Sequence, residues 1–152
     1  MKTSYEQVRE FHEKYGHPVQ TVPCVPNAQL RLLRVRLLVE EIAEFAAASG
    51  FPIEVLEGLD GCSNPRNFSE VKPEDSQDHL VDLIEAADGL ADIDYVTQGA
   101  HLTWGFPSAA LMEEVHRSNM TKPTEKDEHG KTLKNSPDFS PTNIAAVLDA
   151  HK

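Results

Sequence analysis

The feature that most constrains the fold is an unbroken stretch of strong helix formers, NAQLRLLRVRLLVEEIAEFAAAS, at residues 27–49. It contains no glycine or proline and therefore predicts one long α-helix. Asn27 is predicted to cap the start of this helix, and Gly50 with Pro52 to end it. A helix of this length has an apolar face that must pack against another helix.

The rest of the chain continues the helical pattern and shows no strand-type alternation. A second long helix is predicted at residues 78–104, DHLVDLIEAADGLADIDYVTQGAHLTW. Shorter helices are predicted at residues 4–15, at 53–59 and from Ser108 onward. We therefore predict an all-α protein with a single domain over residues 1–152, comprising a core at 27–120, a basic irregular segment at 121–140 and a short C-terminal helix at 141–151.

Acidic residues interrupt the apolar face of both long helices. At 100° per residue, Glu44 falls within the apolar stripe of the first helix, and Glu40 and Glu41 fall on its margins. Asp88 and Asp92 share one face of the second helix. Carboxylates directed at a core are costly unless they are paired or bound to a metal, and the nearest cation is Arg34. The pattern predicts a Mg²⁺ or Mn²⁺ site with oxygen ligands, the alternative being a solvated acidic face.

Charge and hydropathy exclude other classes of function. The formal net charge of −11 opposes nonspecific binding to nucleic acid, which depends on neutralising phosphates. No apolar run approaches the ~18 residues of a transmembrane helix, and the N-terminal residues lack a signal-peptide core. The sequence predicts a cytoplasmic protein, in the host cytoplasm if a phage encodes it, with no membrane or nucleic-acid partner. Cys24 and Cys62 are predicted to be free thiols.

Three segments of the sequence match motifs that occur together in one superfamily of proteins. Residues 40–44 match an E-E-x-x-E element, and residues 90–100, LADIDYVTQGA, match L-x-D-h-h-Y-V-x-x-G, where h is hydrophobic. EVHRSNMTK at residues 114–122 is followed by GKTLKNSPDFSPTNI at 130–144. Together they resemble the MazG-like all-α nucleoside triphosphate pyrophosphohydrolases, a superfamily with the dimeric dUTPases and the phosphoribosyl-ATP pyrophosphohydrolases. The C-terminal part resembles a bacterial and phage branch.

This resemblance implies a four-helix-bundle core completed by dimerisation or by a higher oligomer such as a tetramer. It implies an enzyme that cleaves a nucleoside triphosphate between the α- and β-phosphates, with Mg²⁺ held by carboxylates and Mn²⁺ able to substitute. Glu41, Glu44 and Asp92 match metal ligands, and Glu41 is also placed among the catalytic residues. Glu40 matches the glutamate that can orient or deprotonate the attacking water.

Position 89 departs from the superfamily's pattern. The second motif, E-x-x-D, ends at Asp92 and would place a glutamate at position 89, where this chain has Gly89. Asp88 is adjacent to Asp92 on the helix face and is favoured as the replacement ligand, with Glu85 as the alternative. A site of three carboxylates completed by water or phosphate stays open, as does the number of metal ions.

Substrate contacts are implied in the second half of the chain, because a pyrophosphate leaving group needs basic partners. The predicted contacts are Arg117, Asn119, Lys122, Lys134 and Tyr95. A purine nucleotide (dGTP or GTP) or a mixed set of deoxynucleotides is favoured as substrate, and a dUTP- or dCTP-specific enzyme is the alternative. Two further hypotheses are a non-catalytic module that binds a nucleotide or a protein partner, and a di-iron carboxylate bundle, since Glu113 and His116 form one E-x-x-H motif.

Overall fold

The computed structural model describes residues 2–52, 76–127 and 132–152. Their helices are α1 (Ser4–Tyr15), α2 (Ala28–Ala48), α3 (Leu83–Trp104), α4 (Ser108–Asn119) and α5 (Ile144–Asp149), with a 3₁₀ helix at Asp78–Leu80. Within the described residues there is no β-strand, and one isolated bridge pairs Lys126 with Thr132. The all-α prediction is thereby confirmed. The helix predicted at 53–59 and Cys62 lie outside the described residues, and Cys24 is a free thiol.

None of the helices in these described ranges has both the length and the apolarity that crossing a membrane requires.

Side-chain caps fix where α2 and α3 begin. Oδ1 of Asn27 accepts a hydrogen bond from the Leu30 amide at 2.9 Å, which confirms the predicted cap of α2. The Asp82 carboxylate accepts hydrogen bonds from the amides of Ile84 and Glu85 at 2.8 and 3.1 Å. The prediction that the second long helix begins at residue 78 is therefore wrong: Asp82 caps a helix that starts at Leu83, and the residues before it form a separate 3₁₀ turn.

The first three α-helices end in the same way, at a Gly-x-Pro sequence found at residues 16–18, 50–52 and 105–107. The three glycines have φ angles of 74°, 82° and 67°, which residues with a side chain rarely adopt. In each case the residue after the glycine donates its amide to the carbonyl five residues earlier at 2.9 Å, which is the Schellman arrangement. The predicted end of α2 at Gly50 and the predicted end of α3 at residue 104 are confirmed.

The chain divides into two compact units, and α3 contributes to both. Unit 1 comprises residues 1–4 and 27–100, and unit 2 comprises residues 5–26 and 101–152. Within unit 1, α2 and α3 run antiparallel. The Asp82 amide donates to the Ala48 carbonyl at 2.9 Å, and further along α3 Gly89 lies against Phe45, which precedes Ala48 on α2.

Unit 2 contains the last turn of α3. Its most buried side chains, each 1% exposed or less, are Val8, His12, Leu102 and Thr103. The extended segment that follows α1 donates the amides of Gln20 and Cys24 to the carbonyls of Leu102 and Trp104, at 2.8 and 2.9 Å. These bonds satisfy carbonyls for which the end of a helix has no intrahelical donor.

Candidate active site

Five acidic side chains from α2 and α3 come together in unit 1, at the point where the two helices touch. They are Glu40, Glu41 and Glu44 of α2 and Asp88 and Asp92 of α3, and we call them the acidic cluster. Gly89 meets Phe45 at the contact between the helices. Glu44 and Asp88 are the immediate chain neighbours of these two contact residues. The antiparallel pairing thus places the acids of both helices around one crossing point.

The carboxylate of Glu41 is the electrostatic centre of the acidic cluster. Burial contributes most to raising its pKa above the ordinary value. Repulsion then raises it further, from Asp92, Glu44, Glu40 and Asp88 in decreasing order. The structure therefore brings together the residues that were predicted to be catalytic or metal-ligating, while their roles stay predictions.

The acidic cluster lies on an accessible face of the described chain. Glu41 is partly covered, whereas Glu40, Glu44, Asp88 and Asp92 are exposed. The prediction that the acids point into a helical core is therefore wrong for these four. The physical reason is that the predicted apolar stripe of α2 is only partly covered in the described chain, where Leu33 is 39% exposed and Leu37 is half-buried.

The donor chemistry of the acidic cluster fits a hard divalent cation. All five groups offer carboxylate oxygens, which suit Mg²⁺ and Mn²⁺, and a cation would relieve the repulsion that acts on Glu41. Among the described residues, however, no three acidic, histidine or cysteine side chains are placed so that they could hold a metal ion. Exposed carboxylates change rotamer readily, so the cluster fits Mg²⁺ in charge and donor type and requires side-chain rotation to bind it.

Arg34, the cation predicted to lie nearest to these acids, is almost fully buried. It lies on α2 two turns before Glu41 and is 7% exposed, and burial lowers the pKa of its guanidinium. A buried cation on the same helix face as Glu41 is unusual, because arginine is rarely covered without a specific role. The spacing of the two residues indicated the shared face, but it did not indicate the burial.

Arg117 of unit 2 is hydrogen-bonded to the segment before α5, at Ser140 and Pro141. Its Nε and Nη2 donate to the carboxylate of Glu114 at 2.7 and 2.9 Å. Its Nη1 donates to Oγ of Ser140 and its Nη2 to the carbonyl of Pro141, both at 2.9 Å. A phosphate bound by Arg117 would therefore compete with contacts that attach α4 to the segment before α5.

Glu114, which accepts two of the hydrogen bonds from Arg117, was not identified from the sequence as a residue of interest. Hydrogen bonds from Arg117, and then from the amide of Asn143 at 2.6 Å, lower the pKa of Glu114 to about 2. The carboxylate therefore stays ionised at neutral pH and holds the start of α5. The i, i+3 spacing of Glu114 and Arg117 on one helix was the available signal.

The other predicted substrate contacts are distributed over both units. Tyr95 is 39% exposed on the part of α3 that belongs to unit 1. Asn119 is the exposed last residue of α4 in unit 2, where Lys122 is partly covered and Lys134 is exposed. Contact of these residues with a nucleotide stays a prediction.

The comparison with known families agrees with the resemblance seen in the sequence motifs. The family model for phosphoribosyl-ATP pyrophosphohydrolase matches residues 8–119, which is most of the chain and includes the whole acidic cluster. No curated protein matches the chain. The predicted membership and the predicted enzyme class are confirmed. The chain belongs to the phosphoribosyl-ATP pyrophosphohydrolase family, within the MazG-like all-α superfamily, and is a hydrolase acting on phosphoric anhydrides.

Proposed function

We propose that this protein hydrolyses a nucleoside triphosphate between its α- and β-phosphates in a reaction that depends on Mg²⁺. The observation that carries the proposal is the meeting of five carboxylates from two helices, where Glu41 is partly buried and is repelled by the other four. A protein gains no stability from such a concentration of like charge, and active sites are where perturbed carboxylates tend to gather. The family model, which covers all five acids, supports the same reaction class.

The reaction needs a positioned water and a stabilised leaving group. Water oxygen attacks the α-phosphorus, the bond from that phosphorus to the bridging oxygen breaks, and pyrophosphate leaves. When bound, Mg²⁺ supplies charge neutralisation and a more acidic water. We assign Glu40 to orient the water and accept its proton, and Glu41, Glu44, Asp88 and Asp92 to hold the metal. Lys122 and Lys134 are assigned to the phosphate chain.

The substrate we favour is a purine nucleotide, dGTP or GTP, or a mixed set of deoxynucleotides. A dUTP- or dCTP-specific enzyme of the same fold is the alternative, and the name of the matching family adds phosphoribosyl-ATP to the compounds that need testing. We place the reaction in the cytoplasm, where nucleotide pools are held.

A substrate panel tests the proposed function directly. The full-length protein is incubated with each common ribonucleoside and deoxynucleoside triphosphate and with phosphoribosyl-ATP, with Mg²⁺ and with EDTA, and the products are separated. We expect monophosphate and pyrophosphate in equal amounts, only with Mg²⁺, and fastest for a purine substrate. Release of inorganic phosphate instead would contradict cleavage at the α–β bond, and no turnover of any compound would favour a binding module.

We further propose that a second copy of the chain covers the accessible apolar face of unit 1. Large apolar side chains of unit 1 are open to solvent at separate places, with Val35 of α2 57% exposed and Leu83 and Ile84 at the start of α3 84% and 78% exposed. Apolar surface of this extent favours association, and a second pair of helices would complete a bundle of four. Light scattering is expected to give the mass of a dimer or a tetramer. A monomer at micromolar concentration would refute this part of the proposal.

A further inference from the structure

Gly89 is buried where α3 crosses α2, and the missing side chain is what allows the two helices to come this close. A Cβ atom built on Gly89 would lie 3.2 Å from both Cα and Cβ of Phe45 and 3.3 Å from its backbone nitrogen. These distances are tighter than ordinary van der Waals contact. Two of the three atoms belong to the backbone of α2 and cannot rotate away, so any side chain at position 89 must displace one helix by a few tenths of an ångström.

The crossing point lies inside the acidic cluster. Asp88 is the immediate neighbour of Gly89, and Glu44 is the immediate neighbour of Phe45. On α3, Asp88 and Asp92 share one helix face, and Gly89, which contacts Phe45 of α2, lies beside that face. A shift of α3 away from α2 would therefore separate the carboxylates of one helix from those of the other.

Position 89 is also where the superfamily's E-x-x-D motif would place a glutamate. In this chain the Cβ of that glutamate would start against the backbone of Phe45. Asp88 carries its carboxylate on the neighbouring position, which is exposed, and this carboxylate is one of those that repel Glu41. Position 89 thus serves the contact between the helices, and the neighbouring position 88 carries a carboxylate.

We propose that Gly89 is a positioning residue, which brings α2 and α3 close enough for Asp88 to serve as the fourth carboxylate of the metal site. This inference rests on the proposed function, because it concerns the same site. It excludes the simpler explanation that glycine at position 89 marks a lost ligand and an inactive protein. The two explanations predict opposite effects of restoring the glutamate.

The test measures binding of Mn²⁺ alone to the substrate-free protein, from the electron paramagnetic resonance signal of the free ion. Four variants are compared with the wild type: Gly89→Ala, Gly89→Glu, Asp88→Asn and Ala87→Glu. The last is the matched control, because Ala87 is exposed on the same helix and the substitution adds the same charge. Thermal unfolding of each variant without metal reports whether it folds. Gly89→Ala and Asp88→Asn carry the test if Gly89→Glu does not fold.

We expect Gly89→Ala and Asp88→Asn each to weaken Mn²⁺ binding about 10-fold, the loss typical when the support of a metal site is disturbed. Gly89→Glu is expected to weaken binding further despite its added carboxylate. Ala87→Glu is expected to leave the affinity within about twofold of the wild type, because the exposed Ala87 position makes no demand on the contact between the helices. Tighter binding by Gly89→Glu, or an unchanged affinity in Asp88→Asn, overturns the inference.

Failure of this inference is distinguishable from failure of the proposed function. A wild-type protein that hydrolyses a triphosphate, but whose Gly89→Glu variant binds Mn²⁺ more tightly, overturns the role of Gly89 alone. A wild-type protein that neither binds Mn²⁺ nor hydrolyses any nucleotide overturns both.

Discussion

Replacing Glu41 by glutamine is expected to lower turnover on the order of 10³-fold while raising the midpoint of thermal unfolding. The substitution removes a proposed metal ligand, and it also removes the charge that Asp92, Glu44, Glu40 and Asp88 repel. Loss of activity combined with a gain of stability is typical of a residue retained for function. Steady-state kinetics at saturating Mg²⁺ and scanning calorimetry without metal measure the two effects.

The pH dependence of the folding stability provides an independent check of the prediction for Glu41→Gln. The native protein holds the proton of Glu41 more tightly than the unfolded chain does, because its folded pKa is raised above the ordinary value of 4.5. At neutral pH the ionised Glu41 therefore costs stability, and this cost is relieved as the pH falls through the raised pKa toward 4.5. Glu41→Gln should lose this dependence.

Glu113→Gln is the matched control, since it makes the same change at an exposed position of α4. It should leave both turnover and the unfolding midpoint close to the wild-type values. An active Glu41→Gln variant, or one that unfolds at a lower temperature than the wild type, would contradict the assignment of Glu41 as the repelled centre of a functional site.

Gly105→Ala is expected to destabilise the protein by about 3–5 kcal/mol, the largest structural effect we predict. Gly105 has a φ angle of 67°, and an added Cβ would overlap the backbone carbonyl of Val22. Because the obstacle is main chain, no rotamer change relieves the overlap, and the extended segment would have to leave the end of α3. Denaturant unfolding followed by circular dichroism measures the free energy.

The variant Gly16→Ala separates the cost of a positive φ angle from the cost of the clash with Val22. Gly16 has a similar φ of 74° and closes α1 in the same way, but a Cβ there would meet nothing within 4 Å. It should cost about 1–2 kcal/mol, which is the conformational penalty alone. Equal losses in the two variants would show that the contact with Val22 contributes nothing.

The helices and their ends were largely predictable because their signals are local. The stretch around Leu37 has no helix breaker, Asn27 stands where a cap is needed, and Gly50 and Gly105 each precede a proline by two residues. Helical periodicity also placed Asp88 and Asp92 on one face of α3. Such inferences need only the neighbouring residues along one helix.

The features that could not be predicted depend on contacts with residues distant along the chain, or on which neighbouring element packs against a helix face. The apolar pattern runs through Asp82 without a break, and only its hydrogen bonds show that it is a cap. Gly89 was visible as a missing glutamate, but its contact with Phe45 was not. The binding of Arg117 to Ser140 joins residues far apart in sequence, which no periodicity indicates.

The extended segment that follows α1 has a consequence for how the native state opens. Its amides at Gln20 and Cys24 are bonded to the last-turn carbonyls of α3 rather than to water. Local opening of this segment therefore breaks bonds of the helix end, and fraying of the helix end releases the segment. The two stretches form one cooperative unit of fluctuation, so a part of the chain with no regular secondary structure shares the opening free energy of a helix.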